Sequence, residues 1–290
     1  MLTLDIILKI TVFLILFALG SAISIQELKL LRKKWKVIGL GLILQMIFLP
    51  ILAFGLVYFV DLKQEWKMGI FLVSICPGGS MSNLISYLVG AELGLSIALT
   101  SMNSLLILFS LPLLTKFGLY YFMNASPAIG TSFSGPILEI VFLLFIPTIL
   151  GLLCRIYFPS FVKQWEAKLK LLSTILLALV FGMKFFASEA MGGSGMNILD
   201  VQQLLVPVLL FHLTALIASF FISKFSSFTI KESCTISIEV GLQNTSLAIL
   251  ISASILANNE MSKPALLLAI FSFFSTLIFA FISLKFSSKN

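Results

Sequence analysis

The sequence predicts an all-α polytopic membrane protein, and three observations carry that expectation. Of the 290 residues, 59% are hydrophobic and 11% charged, with a mean hydropathy of +1.12; a soluble domain carries about 25% charged residues. The apolar residues fall in runs of about 20, enough for a helix to cross a hydrocarbon core of roughly 30 Å. Two of these runs are interrupted by helix-breaking and polar residues, Cys76-Pro77-Gly78-Gly79-Ser80-Met81-Ser82-Asn83 and Glu239-Val240-Gly241-Leu242-Gln243-Asn244-Thr245-Ser246. Lipid cannot hydrogen-bond a loose peptide group, so such gaps survive only where they are buried in protein or line a cavity. Two gaps in corresponding places of two halves are the pattern of a membrane transporter.

Nine spans are expected, at about 5–23, 37–60, 68–89, 93–114, 134–154, 171–188, 201–223, 234–257 and 264–284, forming a single transmembrane domain over residues 1–290. The first contains the run Ile10 to Leu19 after Lys9, followed by the small residues Gly20-Ser21-Ala22. That pattern also fits a signal peptide, but the basic cluster from Lys29 to Lys36 behaves as a stop signal and favours a retained span. The second span holds one amide, Gln45. The third is expected to break at Pro77, which lacks a backbone donor and clashes one turn back, while Gly78 and Gly79 let the chain leave helical geometry. The fourth carries Ser96 and Thr100, four apart and so on one face. Glu139 near the start of the fifth and Lys184 near the end of the sixth are expected to reach the interface. The seventh holds His212, the chain's one histidine, expected as a packing residue. The eighth contains Glu239, Gln243 and Asn244, and the ninth is almost wholly apolar.

Orientation follows from the basic residues, which are retained on the cytoplasmic side. Lys29, Arg32, Lys33, Lys34, Lys36, Arg155, Lys163, Lys168, Lys170, Lys224, Lys231, Lys285 and Lys289 lie in the odd-numbered connections and the tail, 13 of the 19 Lys and Arg. The N-terminus is therefore expected outside and the C-terminus in the cytoplasm. The net charge of +7 reports this topology, with some attraction to anionic lipid, and makes no case for nucleic acid.

Glu239 is the most informative residue. A charge at mid-membrane costs about 2.5–3.5 kcal/mol even on the lenient insertion scale, so it faces a pathway or a partner. Glu239 and Gln243 share a helix face if the helix is regular across them, and oxygen ligands on one face suit a hard cation. Ser80, Ser82, Asn83 and Ser86 crowd four polar side chains into one buried turn, where they need partners or water. Ser96 and Thr100 follow after a short turn and can face back toward Ser82 and Asn83. With Gln45 they make a plausible oxygen cage.

Other signals are weak. Cys76, Cys154 and Cys234 define no disulfide framework. Asn124-Ala125-Ser126 matches a glycosylation acceptor on an outside loop, and Gly192-Gly193-Ser194-Gly195 is expected as a flexible outside loop. An intramembrane enzyme is disfavoured, because His212 has no second histidine for a metal site and no nucleophile motif beside it. A sodium/proton antiporter would rely on buried aspartates, whereas Asp5, Asp61 and Asp200 all sit near span ends.

From about Phe17 to the last span the chain resembles the bile acid:sodium symporter family. The resemblance rests on Cys-Pro-Gly-Gly-x-x-Ser-Asn from Cys76 to Asn83, Leu-Ser-x-Ala-x-Thr-Ser from Leu95 to Ser101, and Glu-x-Gly-x-Gln-Asn-x-x-Leu-Ala from Glu239 to Ala248. It implies an inverted-repeat transporter with core and panel domains and two crossing discontinuous helices. Repeat one would cover about 1–116 and repeat two about 134–285, in a nine-helix variant of the bacterial type. It implies sodium-coupled symport of an organic anion, bile-salt-like or a small carboxylate such as pantoate, by alternating access in a bacterial inner membrane. Proton coupling, or an antiporter on the same fold, is the alternative.

The resemblance also implies two sodium sites. Ser82, Asn83, Ser96, Thr100 and Glu239 would form one. Gln45, Glu239, Gln243 and the carbonyls of Val240 and Leu242 would form the other. Ser80, Met81 and Asn244 would lie near the substrate. Where some bacterial members have a polar His-Asn pair in the last helix near the substrate, this chain has Ser272 and Phe273, a departure from the family pattern that bears on substrate identity.

Overall fold

The structure, a computed structural model, describes residues 2–22, 33–123, 134–186 and 193–287. The described residues form helices and short connections, with no strand among them. Helix α1 covers Leu2–Ala22. Helix α2, Trp35–Phe59, widens to a π turn at Leu44–Phe48, where the Leu49 amide bonds back to the Leu44 carbonyl. Pro50 explains the wide turn, since it brings no amide to the ladder. The bulge places Gln45, on α2, among buried side chains.

Helix α3 (Gln64–Ser74) ends before Pro77, and α4 (Ser80–Leu88) begins after Gly79. The run is thus broken at the residues that cannot continue a helix. Helix α5 spans Leu93–Phe122, α6 Ser134–Tyr157, α7 Pro159–Phe186 and α8 Ile198–Phe225. The second gap separates α9 (Ile230–Gly241) from α10, residues 245–255, and α11 (Asn259–Ser287) closes the chain. Two helix starts are fixed by reciprocal capping boxes, Asn197 with Asp200 on α8 and Thr229 with Glu232 on α9.

Among the described residues six helical segments are long and apolar enough to cross a membrane: Trp35–Phe59, Leu93–Phe122, Gly135–Tyr157, Ile198–Phe225, Ile230–Ile255 and Asn259–Lys285. The Ile230–Ile255 segment is the most enclosed, with 83% of its apolar window buried. That burial is what an interrupted segment needs, because neighbouring helices must satisfy its freed backbone. Helix α1 packs on α6 and α7. Its contact with α6 is backbone to backbone: a Cβ on Gly20 would stand 2.1 Å from the Thr148 carbonyl oxygen, and one on Gly151 2.1 Å from that of Phe17. Small residues permit such an approach.

Three peripheral expectations can be placed. Glu139 pairs with Lys9 at 2.7 Å, both about half exposed. Lys184 does not reach outward; it is buried at 2% exposure, with Nζ 3.3 Å from Asn259 Oδ1. The glycine-rich segment is packed rather than free at Ser194, which is fully buried and donates its amide to the Lys184 carbonyl at 2.8 Å. An amide acceptor within reach drew the lysine inward, and the lysine's carbonyl anchors the loop. Lys29, Arg32, Asn124-Ala125-Ser126 and Gly192 lie outside the described residues.

Candidate functional site: a crossover of two broken helices

The two gaps meet. The Asn244 amide donates to the Cys76 carbonyl at 3.0 Å, joining the breaks through backbone. Gly78 is required at the contact: a Cβ there would lie 2.4 Å from the Leu242 carbonyl oxygen and 3.4 Å from that of Glu239. No side chain fits against a backbone oxygen at that distance. Leu242 itself is extended, with φ −95 and ψ 100, which is why α9 stops at Gly241.

Around this crossover the Glu239 carboxylate, 1% exposed, is met by hydroxyls from two elements, α5 and α4. Ser96 Oγ on α5 lies 2.5 Å from Oε1, and Thr100 Oγ1 lies 3.0 and 3.1 Å from the two oxygens. Ser82, at the start of α4, stands beside the carboxylate, while its own hydroxyl donates to the Gly79 carbonyl at 2.7 Å. Thr100 Oγ1 is 3.4 Å from Asn83 Oδ1. The i, i+4 spacing of Ser96 and Thr100 therefore delivers both to one carboxylate, and Ser82 and Asn83 face them from α4.

A second set adjoins the first. Gln45 Nε2 donates to Gln243 Oε1 at 3.2 Å, and Gln243 Nε2 donates to the Val240 carbonyl. Gln45 is 2% exposed, and its Oε1 is buried without a hydrogen-bond partner. Such an orphaned oxygen costs about 1–3 kcal/mol and fits an added cation, which would accept what the protein leaves open. Beside the two amide nitrogens, the polar atoms gathered here are hydroxyl, amide, carboxylate and carbonyl oxygens, the donor set of a hard cation. Among the described residues no group of three or more His, Cys, Asp or Glu could hold a metal of the transition series.

Of the three residues expected near a substrate, Asn244 caps α10, its Oδ1 accepting from the Leu247 amide at 3.1 Å. Met81 is 38% exposed on α4. Ser80 begins α4, and its side chain lies outside the described residues.

Several structured features escaped the sequence. Asn103, one turn beyond Thr100, is 1% exposed with its Oδ1 unpartnered; its i, i+3 spacing from Thr100 was the available signal. Lys34 bonds both Glu92 and Glu232, the latter at 2.9 Å, tying the start of α2 to the starts of α5 and α9. Burial alone would lower the Lys34 pKa, but its hydrogen bonds to the two carboxylates outweigh that and hold it above the ordinary lysine value. Another cluster ties the starts of α3, α8 and α11: Lys263 bonds Asp200 at 2.8 Å and Glu260, while Trp66 Nε1 donates to Glu260 at 2.9 Å. No sequence spacing reports contacts between residues 58 to 198 positions apart.

Crossing interrupted helices around a buried carboxylate and an oxygen cage define the class: a polytopic helical membrane protein of the secondary-transporter type. The particular family is named by comparison. Residues 9–191 match the model of the sodium bile acid symporter family, and the chain belongs to that family. It is 31% identical, over 82% of its own length and 71% of the relative, to a sodium-dependent transporter of Bacillus subtilis named YocS. It is 29% identical over 87% of its length to a probable chloroplastic sodium/metabolite cotransporter, BASS2, of Oryza sativa, and spans 57% of that protein. A human sodium-dependent organic anion transporter is 25% identical over 81% of the chain and 60% of its own length. All three relatives are named as transporters, none as an enzyme.

Proposed function

We propose that this protein is a sodium-coupled symporter of an organic anion. One observation carries the reading: the hydrogen-bond partners of Glu239 among the described residues are uncharged hydroxyls. A buried carboxylate needs its charge balanced, and the surrounding oxygens suit a small hard cation. The relatives' names, all sodium-dependent or sodium-coupled transporters, support sodium as that cation.

Two sodium ions are assigned. Ser82, Asn83, Ser96, Thr100 and Glu239 hold one; Gln45, Glu239, Gln243 and the Val240 and Leu242 carbonyls hold the other. Glu239 serves both, so neutralising it couples the ions to the shape of the crossover. The anion takes the place beside Ser80, Met81 and Asn244, where the N-terminus of α4 presents unpaired amides and the positive end of its dipole. Alternating access follows from rocking of a core against a panel of helices, with inverted repeats over about 1–116 and 134–285, the N-terminus outside and the C-terminus cytoplasmic, in a bacterial inner membrane. Bile-salt-like anions and small carboxylates such as pantoate are the substrate classes.

Uptake into proteoliposomes tests the reading. Accumulation of a labelled anion under an inward sodium gradient is expected, with Glu239→Ala and Gln243→Ala both inactive; retained uptake by both would sink it. Equal uptake in potassium with dependence on a proton gradient would instead assign proton coupling to Glu239.

A further inference from the structure

We propose that His212 is a positioning residue for the cation site: it holds the Gly241 carbonyl toward α8 and so keeps it from competing for the ion with the Leu242 carbonyl and with that of Val240, which Gln243 Nε2 shares. The proposal rests on the sodium reading of the crossover. When α9 stops at Gly241, its last carbonyls lose their helical partners, and inside a membrane each needs another. The Leu242 amide still reaches the Ile238 carbonyl at 3.0 Å, and Gln243 Nε2 serves that of Val240. The Gly241 carbonyl is served from another helix, by His212 Nδ1 at 3.1 Å.

The ring is fixed on every side. His212 is fully buried. Its Nε2 lies 2.7 Å from Ser275 Oγ on α11, and Phe271 meets the ring edge-on, 5.7 Å between centroids. A carbonyl can only accept, so Nδ1 carries the hydrogen, and in the neutral ring Nε2 is an acceptor that shares the one Ser275 hydroxyl hydrogen with the Phe271 carbonyl, 2.8 Å from Oγ. One turn along α8, the Leu216 carbonyl accepts from Ser237 Oγ at 2.7 Å. Gly241 presses on the same Leu216, where a Cβ would come within 2.2 Å of the side chain. Helix α8 thus grips the end of α9 at three points, and the histidine is the one that takes a carbonyl out of the cation's reach. Its action on the ion passes through Gly241 to the residues on either side.

The test reads sodium binding without needing the anion. Purified full-length protein in detergent is titrated with sodium chloride at constant ionic strength against potassium chloride, following the unfolding temperature. Wild type is expected to be stabilised by sodium alone. His212→Phe is expected to raise the half-saturating sodium concentration about tenfold. His212→Asn, whose amide can donate from the place of Nδ1, is expected to stay within about threefold, and Ser275→Ala, which frees Nε2, to fall between. Unchanged sodium response in His212→Phe overturns the proposal, as does an Asn variant shifted as far as Phe, which would make the ring mere packing. If His212→Phe is not recovered folded, Ser275→Ala decides, and wild-type behaviour there overturns the proposal. A wild type that sodium does not stabilise above potassium removes the sodium reading itself, a separate and recognisable result.

Discussion

Ser96 Oγ and Glu239 Oε1 lie 2.5 Å apart, although 143 residues separate them. The contact joins α5 to the last turn of α9, immediately before the break. It makes a short hydrogen bond in a buried place, and it ties one carboxylate to the relative position of two helices.

Replacing Glu239 by Gln keeps the shape and removes the charge. The half-saturating sodium concentration for thermal stabilisation is expected to rise about a hundredfold or more, as loss of a charged ligand implies. Stability in potassium is expected to change little, since the amide oxygen still accepts from Ser96 and Thr100. A sodium response equal to wild type would remove Glu239 from the site.

Gly78→Ala is expected to destabilise the fold by about 3 kcal/mol, at the upper end of overpacking costs, because the added methyl meets the Leu242 carbonyl oxygen at 2.4 Å. Gly39→Ala is the matched control. Nothing lies within 4 Å of its Cβ position, and alanine is the better helix former by about 1 kcal/mol. Thermal unfolding of the two variants should move in opposite directions; a neutral Gly78→Ala would show that the crossover is looser than its geometry.

The two ion clusters should differ in worth. Lys263→Met leaves Asp200, whose side chain is 7% exposed, without its cation, and is expected to cost about 3–5 kcal/mol. Lys34→Met acts where the lysine side chain is 27% exposed and is expected to cost about 1 kcal/mol. Chemical or thermal denaturation ranks them; equal losses would contradict the role assigned to burial.

At Asn244 the cap and the place beside the anion can be separated. Asn244→Asp keeps an oxygen for the Leu247 amide, so stability should hold, whereas Asn244→Ala should lose about 1 kcal/mol. Both are expected to impair anion uptake, the aspartate more severely because it sets a negative charge beside an anion. An aspartate variant that transports normally would take Asn244 out of the substrate's neighbourhood.

The membrane class, the two breaks and most of the oxygen cage were legible in the residues themselves. Pro77 and Gly78 cannot continue a helix wherever they occur, and a carboxylate in an apolar run must find partners, so Glu239 declared itself. The i, i+4 step from Ser96 to Thr100 is a property of any helix, and it brought both hydroxyls to one acceptor. Tertiary structure alone decided the rest. The Asn244 amide on the Cys76 carbonyl, Gln45 opposite Gln243, Lys34 between Glu92 and Glu232, and His212 on the Gly241 carbonyl all join segments distant in the chain. Local periodicity holds no record of which helices become neighbours. The expectation that Lys184 reaches outward failed for the same reason, since the amide of Asn259 that meets it comes from another helix. Sequence determines which groups must be satisfied in lipid; only packing determines by whom.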